Sequence, residues 1–91
     1  MQEVLIYFIA YLMELHKKTK IELYVIQKVK GMREKEGWSQ SELAFKLNVS
    51  LGFIGQVESS NYPAKYNLNH INKLAVIFNC SPSDFIPDTV L

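Results

Sequence analysis

The chain has 91 residues, nearly half of them hydrophobic, with ten basic and nine acidic side chains. That length suits one domain, and the hydrophobic share argues against a disordered chain. A net charge of +1 does not mark a polyanion binder, one cysteine (Cys80) excludes an internal disulfide, and that cysteine with two distant histidines (His16, His70) offers no metal-ligand spacing, so neither metal nor cofactor is expected.

Residues 1–18 read as an apolar N-terminal extension and residues 19–91 as a folded domain. Val4 to Met13 is apolar throughout, too short for the roughly 20 residues that cross a bilayer. Positive charge (Lys17, Lys18, Lys20) follows the run, whereas a signal peptide carries it in front. A cytoplasmic protein with no membrane partner is the reading. Periodicity does not separate helix from strand in such a run. Three readings stay open: an extra helix packed on the protein's own core, a dimerisation segment, or a stretch upstream of a true start at Met13.

From Thr19 onward the chain predicts five short helices, each with its own cap. Thr19 and Glu22 form a capping box, hydroxyl and carboxylate each taking an orphan amide. Leu23, Ile26, Val29 and Met32 then recur every three residues as the inner face of a helix that ends near Gly37. Ser39, with Glu42 three residues on, opens a second helix whose Leu43, Ala44 and Leu47 face inward. Asn48 takes the left-handed conformation that closes it, and Ser50 caps a third helix carrying Phe53, Ile54 and Val57.

Ser59 to Pro63 is a turn-rich loop. Asn67 caps a fourth helix with Leu68, Ile71, Leu74, Ala75 and Phe78 on its inner face. Ser81-Pro82-Ser83-Asp84 opens a fifth, with proline at the first helical position and an acid in the first turn, anchored by Phe85 and Ile86. Trp38 reads as a cap on the core, Met32 and Cys80 as part of it. No strand alternation or repeat interrupts the pattern, and the fold class is all-α. Charge is uneven along it: all ten Lys and Arg lie between Lys17 and Lys73 with only five of the nine acids, a net +5 in that stretch, which suits a polyanionic partner.

From about Val25 to Pro87 the sequence resembles the Cro and phage-repressor type of helix-turn-helix domain, the XRE family. Ser39-Gln40-Ser41-Glu42-Leu43-Ala44 matches the family's Ser/Thr-Gln-x-x-Leu-Ala, Val49-Ser50 its Val-Ser, and Ile54-Gly55-Gln56-Val57-Glu58 its Ile-x-x-Ile/Val-Glu. The resemblance implies a compact five-helix lambda-repressor-like DNA-binding domain, here with an extra apolar N-terminal segment.

Physical logic points the same way. Two short helices joined by a tight turn cross steeply, so one lies across the phosphates while the other enters the major groove. Small Ala44 lets them approach. The outward positions of the second are Ser50, Leu51, Gly52, Gly55 and Gln56, with Phe53 at the edge. The Gln56 carboxamide pairs bidentately with adenine N6 and N7. Leu51 either touches a thymine methyl or packs beneath the helix. Gly52 and Gly55, each about 0.8–1 kcal/mol worse than Ala in a helix, either bring backbone near DNA or mark a tight protein contact. No Arg or Lys lies between Leu47 and Lys65, so the reading helix lacks the commonest guanine reader.

Phosphate contacts are expected at the helix starts beside Ser39 and Ser50, and from Lys46, Asn61, Lys65 and Tyr66. The resemblance further implies that Gln40 bridges a phosphate and the reading helix, and that Arg33 and Glu58 form a partly buried structural ion pair. The function expected is a sequence-specific regulator, in the sense of a repressor, that binds double-stranded DNA as a homodimer. A DNA-binding antitoxin that meets its toxin through the apolar N-terminal segment is a variant of it. A protein-interaction module that keeps the fold without binding DNA is the alternative from another class. An enzyme is not expected, for want of a nucleophile–base–acid set, a carboxylate pair or a phosphate-cradling glycine loop.

Overall fold

Local caps set the element boundaries. The computed structural model describes residues 2–91, with the side chains of residues 13–16, Met13 among them, outside the description. In chain order come α1 (Gln2–His16), α2 (Lys20–Lys35), α3 (Gln40–Leu47), α4 (Leu51–Glu58), α5 (Leu68–Phe78) and a short 3-10 helix (Pro82–Phe85). The Glu22 amide donates to Thr19 Oγ1 at 3.3 Å while the Thr19 amide donates to Glu22 Oε1 at 2.8 Å, the reciprocal box at the start of α2. The Glu42 amide donates to Ser39 Oγ at 3.0 Å. Asn48 (φ 59°) closes α3 and Asn79 (φ 53°) closes α5. Gly37, at φ 74°, turns the chain out of α2 in a conformation that costs a side-chain-bearing residue about 1–2 kcal/mol.

The core draws one face from each element after residue 19. Val25, Ile26 and Val29 come from α2, Leu43, Ala44 and Leu47 from α3, Ile54 and Val57 from α4, and Ile71, Leu74 and Ala75 from α5, with Phe85 closing one end. α3 packs on α4 and α5, and α2 packs on α4 and the 3-10 helix. Trp38 stacks on Phe78 with ring centroids 5.2 Å apart. Met32, Trp38 and Cys80 lie half-buried against this cluster.

Three sequence expectations are corrected. Leu23 is exposed: steps of three residues drift around a helix, so by Val29 the inner face has moved about 120° from it. Leu68 is exposed, because it is the first residue of α5 and its side chain leans back past the end of the core. Ser50 holds the N-cap position of α4, yet its hydroxyl makes no cap hydrogen bond. The expected short fifth helix is present, as a 3-10 turn.

The apolar N-terminal run is a helix, and it is not packed on the protein's own core. None of its described residues joins the buried cluster, and its large side chains from Val4 to Leu12 are exposed. The radius of gyration is 15.5 Å and the long dimension 53 Å, where a compact 91-residue domain would have a radius near 12 Å. The excess is the projection of α1 from the body. No described helix is long and apolar enough to cross a membrane.

Candidate nucleic-acid interface

α3 and α4 form a rigid frame because three polar side chains lock their shared end. Arg33 Nε donates to Glu58 Oε2 at 3.0 Å and Nη2 to Glu58 Oε1 at 2.9 Å, a bidentate pair between α2 and the end of α4. Arg33 Nη1 also donates to the Trp38 carbonyl at 2.7 Å, and Gln40 Nε2 donates to Glu58 Oε1 at 3.1 Å. Hydrogen bonding to Glu58 holds the guanidinium pKa above its ordinary value against the opposing effect of burial. Both side chains are nearly closed to solvent, so removing one would strand the other charge, a loss of roughly 3–5 kcal/mol.

Gly55 completes the frame from the other side. A Cβ built there would stand 3.3 Å from Gln40 Oε1, so this glycine marks a tight contact between α3 and α4. Around Gly52 there is open space. Ser50, Leu51, Gly52 and Gln56 are exposed along one side of α4. Leu51, at 70% exposure, does not pack beneath the helix. Phe53 is half-buried, its ring 5.1 Å from His70 and 6.3 Å from Tyr66.

The flanking candidates divide. Ser39, Gln40 and Asn61 are exposed. Lys46 is exposed, but its Nζ sits 4.5 Å above the Trp38 ring, an attraction of about 0.5–1 kcal/mol at such a site. Lys65 is ion-paired with Glu22 on the surface. Tyr66 does not belong with them: it is 8% exposed. Its hydroxyl is buried without a hydrogen-bond partner among the described residues, and burial, followed by the charge of Glu58, pushes its pKa up. A large ring closing the core beside Phe53 and His70 cannot also lie on the surface as a phosphate contact.

A family model described as Helix-turn-helix matches residues 29–85, well over half of the chain. The chain belongs to this family. It is a helix-turn-helix protein of the XRE or Cro type, and DNA-binding regulation is the function of that family. No curated protein and no solved structure matches the chain.

Two residues that support the helix-turn-helix escaped the sequence reading. Lys18, in the connector after α1, donates from Nζ to the carbonyls of Val57 (2.6 Å), Gln56 (3.3 Å) and Ser59. They lie at the C-terminal end of α4, where last-turn carbonyls lack intrahelical partners and a cation complements the helix dipole, although the Gln56 carbonyl also accepts from the Ser59 amide at 3.2 Å. Burial lowers the Lys18 pKa, partly offset by Glu22. No local pattern pairs this lysine with a helix some 38 residues away. His70 is the second. Its Nδ1 accepts from the Asn67 amide at 3.0 Å while the His70 amide donates to Asn67 Oδ1 at 2.8 Å. It stands in the third position where capping boxes usually carry Glu or Gln, a visible signal had an imidazole been counted as an acceptor.

Proposed function

We propose that this protein is a sequence-specific transcriptional repressor of the cytoplasm that binds DNA as a homodimer and reads the major groove with α4. One observation carries the proposal: Leu51, Gly52 and Gln56 are exposed on one side of a helix whose other side is fixed in the core by Ile54 and Val57. Base reading needs side chains held in place, and the Arg33–Glu58–Gln40 network supplies that rigidity. Gln56 reads adenine through its carboxamide, and Leu51 meets a thymine methyl. The open hydroxyl of Ser50 and the first amides of α4 supply a phosphate contact at a helix start. Ser39, Gln40 and Asn61 add neutral backbone contacts. Lys46 and Lys65 are held by weak surface interactions that a phosphate can displace.

Selection of sites from a random DNA pool tests this reading. Dyad-symmetric half-sites leaning to A and T are expected, and Gln56→Ala should cost about 1–3 kcal/mol and relax preference at one position. Affinity for random duplex should fall steeply as salt rises. An asymmetric G-rich site, or binding indifferent to salt, would overturn the proposal.

A further inference from the structure

Gly52 is the second residue of α4, in ordinary helical backbone rather than at a turn. Alanine there would make the helix firmer. Gly55 has its reason inside the protein, the side chain of Gln40 at 3.3 Å. Gly52 has none. Apart from its chain neighbours and the helix backbone, nothing among the described residues lies within 4 Å of where its Cβ would stand. The residue is exposed, and in a helix-turn-helix the first residues of the reading helix are the ones that meet base edges.

The rim of that gap is apolar. Leu51 beside it is 70% exposed. α4 carries no cation, and its one charged side chain, Glu58, is turned into the pair with Arg33. Guanine offers two acceptors to the major groove and cytosine a donor, and against such a surface either is left without a partner. The thymine C5-methyl is the apolar feature of the groove. It is also one methyl group, the size of the side chain that Gly52 lacks.

We propose that Gly52 is a specificity-determining residue: the notch left by its missing side chain seats the C5-methyl of a thymine. The inference rests on the reading of α4 as the DNA-binding helix and says how part of it discriminates. Gln56, four residues on and on the same face of the helix, reads by hydrogen bond. Leu51 meets a methyl by adding surface, whereas Gly52 takes one in by giving space. The notch holds one methyl, from the base or from the protein. Two overpack it, and none leaves a void.

Moving that methyl from base to protein tests the proposal. On the site that the wild type selects from random DNA, each thymine is replaced in turn by deoxyuridine, which lacks only the C5-methyl. The wild type should lose about four-fold at the seated thymine, one methyl contact at roughly 0.8 kcal/mol. Gly52→Ala should bind the thymine site about ten-fold less tightly than the wild type. With deoxyuridine at that one position it should regain most of the loss, so the preference between the two bases reverses. A merely disturbed helix would weaken binding to both. Leu51→Ala should weaken binding without any reversal.

Stability keeps the test clean, because Gly52→Ala should melt at or above the wild type. Gly31→Ala is the control: its surroundings are equally open, but it lies on α2 and should leave affinity and base preference unchanged. A Gly52→Ala protein that binds like the wild type, or that prefers deoxyuridine at no thymine, overturns the proposal. So does the same reversal in Gly31→Ala. If Gln56→Ala relaxes base preference while Gly52→Ala discriminates as the wild type does, the notch fails and α4 remains the reader. If the wild type binds no duplex, or neither substitution alters base preference, the reading of α4 fails and the notch falls with it.

Discussion

α1 and α4 are both short apolar helices, and they meet opposite fates. Ile54 and Val57 of α4 are fully buried, whereas every large described side chain of α1 is exposed. Apolar content does not make the difference. α4 divides cleanly into an inner face and an outer one, and its C-terminal end is tied down twice, by Glu58 to Arg33 and by Lys18 to its last carbonyls. α1 has apolar residues around most of its circumference and, among the described residues, no such tie. Burial in a small domain follows from phase and tethers, because a core this size covers only the faces that the connecting turns aim at it.

The largest expected effect tests that contrast directly. Ile54→Ala should destabilise the protein by about 2–5 kcal/mol, since it opens a cavity among fully buried neighbours. Ile9→Ala, measured in dilute solution where the chain is monomeric, should stay within about 0.5 kcal/mol of wild type. Chemical denaturation gives both numbers. Equal losses would mean that α1 belongs to the cooperative unit, and the contrast between the two helices would collapse.

What was legible in the sequence follows the same division. Helix starts and stops after residue 19 could be read because their causes are local: Thr19 with Glu22, Ser39 with Glu42, Asn48 in the left-handed region. The paired Arg33 and Glu58, 25 residues apart, became an expectation only through the family resemblance. The burial of Tyr66 was not legible, because a tyrosine in a polar loop looks like a surface residue until Phe53 and His70 are seen to enclose it. The exposure of α1 was not legible either, since an apolar run looks like core until none of its described side chains is found in the buried cluster. Along α4 the exposed face could be read from helical phase, but the two glycines could not be told apart. Only the geometry separates Gly55, pressed against Gln40, from Gly52 in open space.

A middle-sized effect sharpens the role of the tethers. Lys18→Met keeps the aliphatic stem and removes the cation and its three carbonyl contacts. A loss of about 1–2 kcal/mol is expected, from stranded acceptors and a dipole left without its counter-charge. Amide exchange should report it most strongly in the last turn of α4, and DNA affinity should fall with it. A uniform loss of protection over the whole body would instead make Lys18 a general surface contact, and α4 would need no tie from the N-terminal connector.

The smallest effect concerns the polar side of the packed region. Burial, with Lys73 contributing, lowers the His70 pKa from its ordinary 6.5, and the geometry agrees, because Nδ1 accepts from the Asn67 amide and must be unprotonated to do so. The folded state therefore binds this proton less readily than the unfolded chain. Stability from the contact is complete above the unfolded pKa and is lost as pH falls from about 6.5 toward the lower folded value, where the unfolded state takes up the proton first. His70→Gln keeps an acceptor at the third position of the box and cannot titrate. Over about pH 7.5 to 5 the wild-type melting temperature should fall relative to this variant, with the gap opening below about pH 6.5. Parallel curves would mean that the imidazole does not hold the start of α5. A wild type that gains on acidification would mean that the proton strengthens a contact there, the reverse of an amide donating into a bare nitrogen.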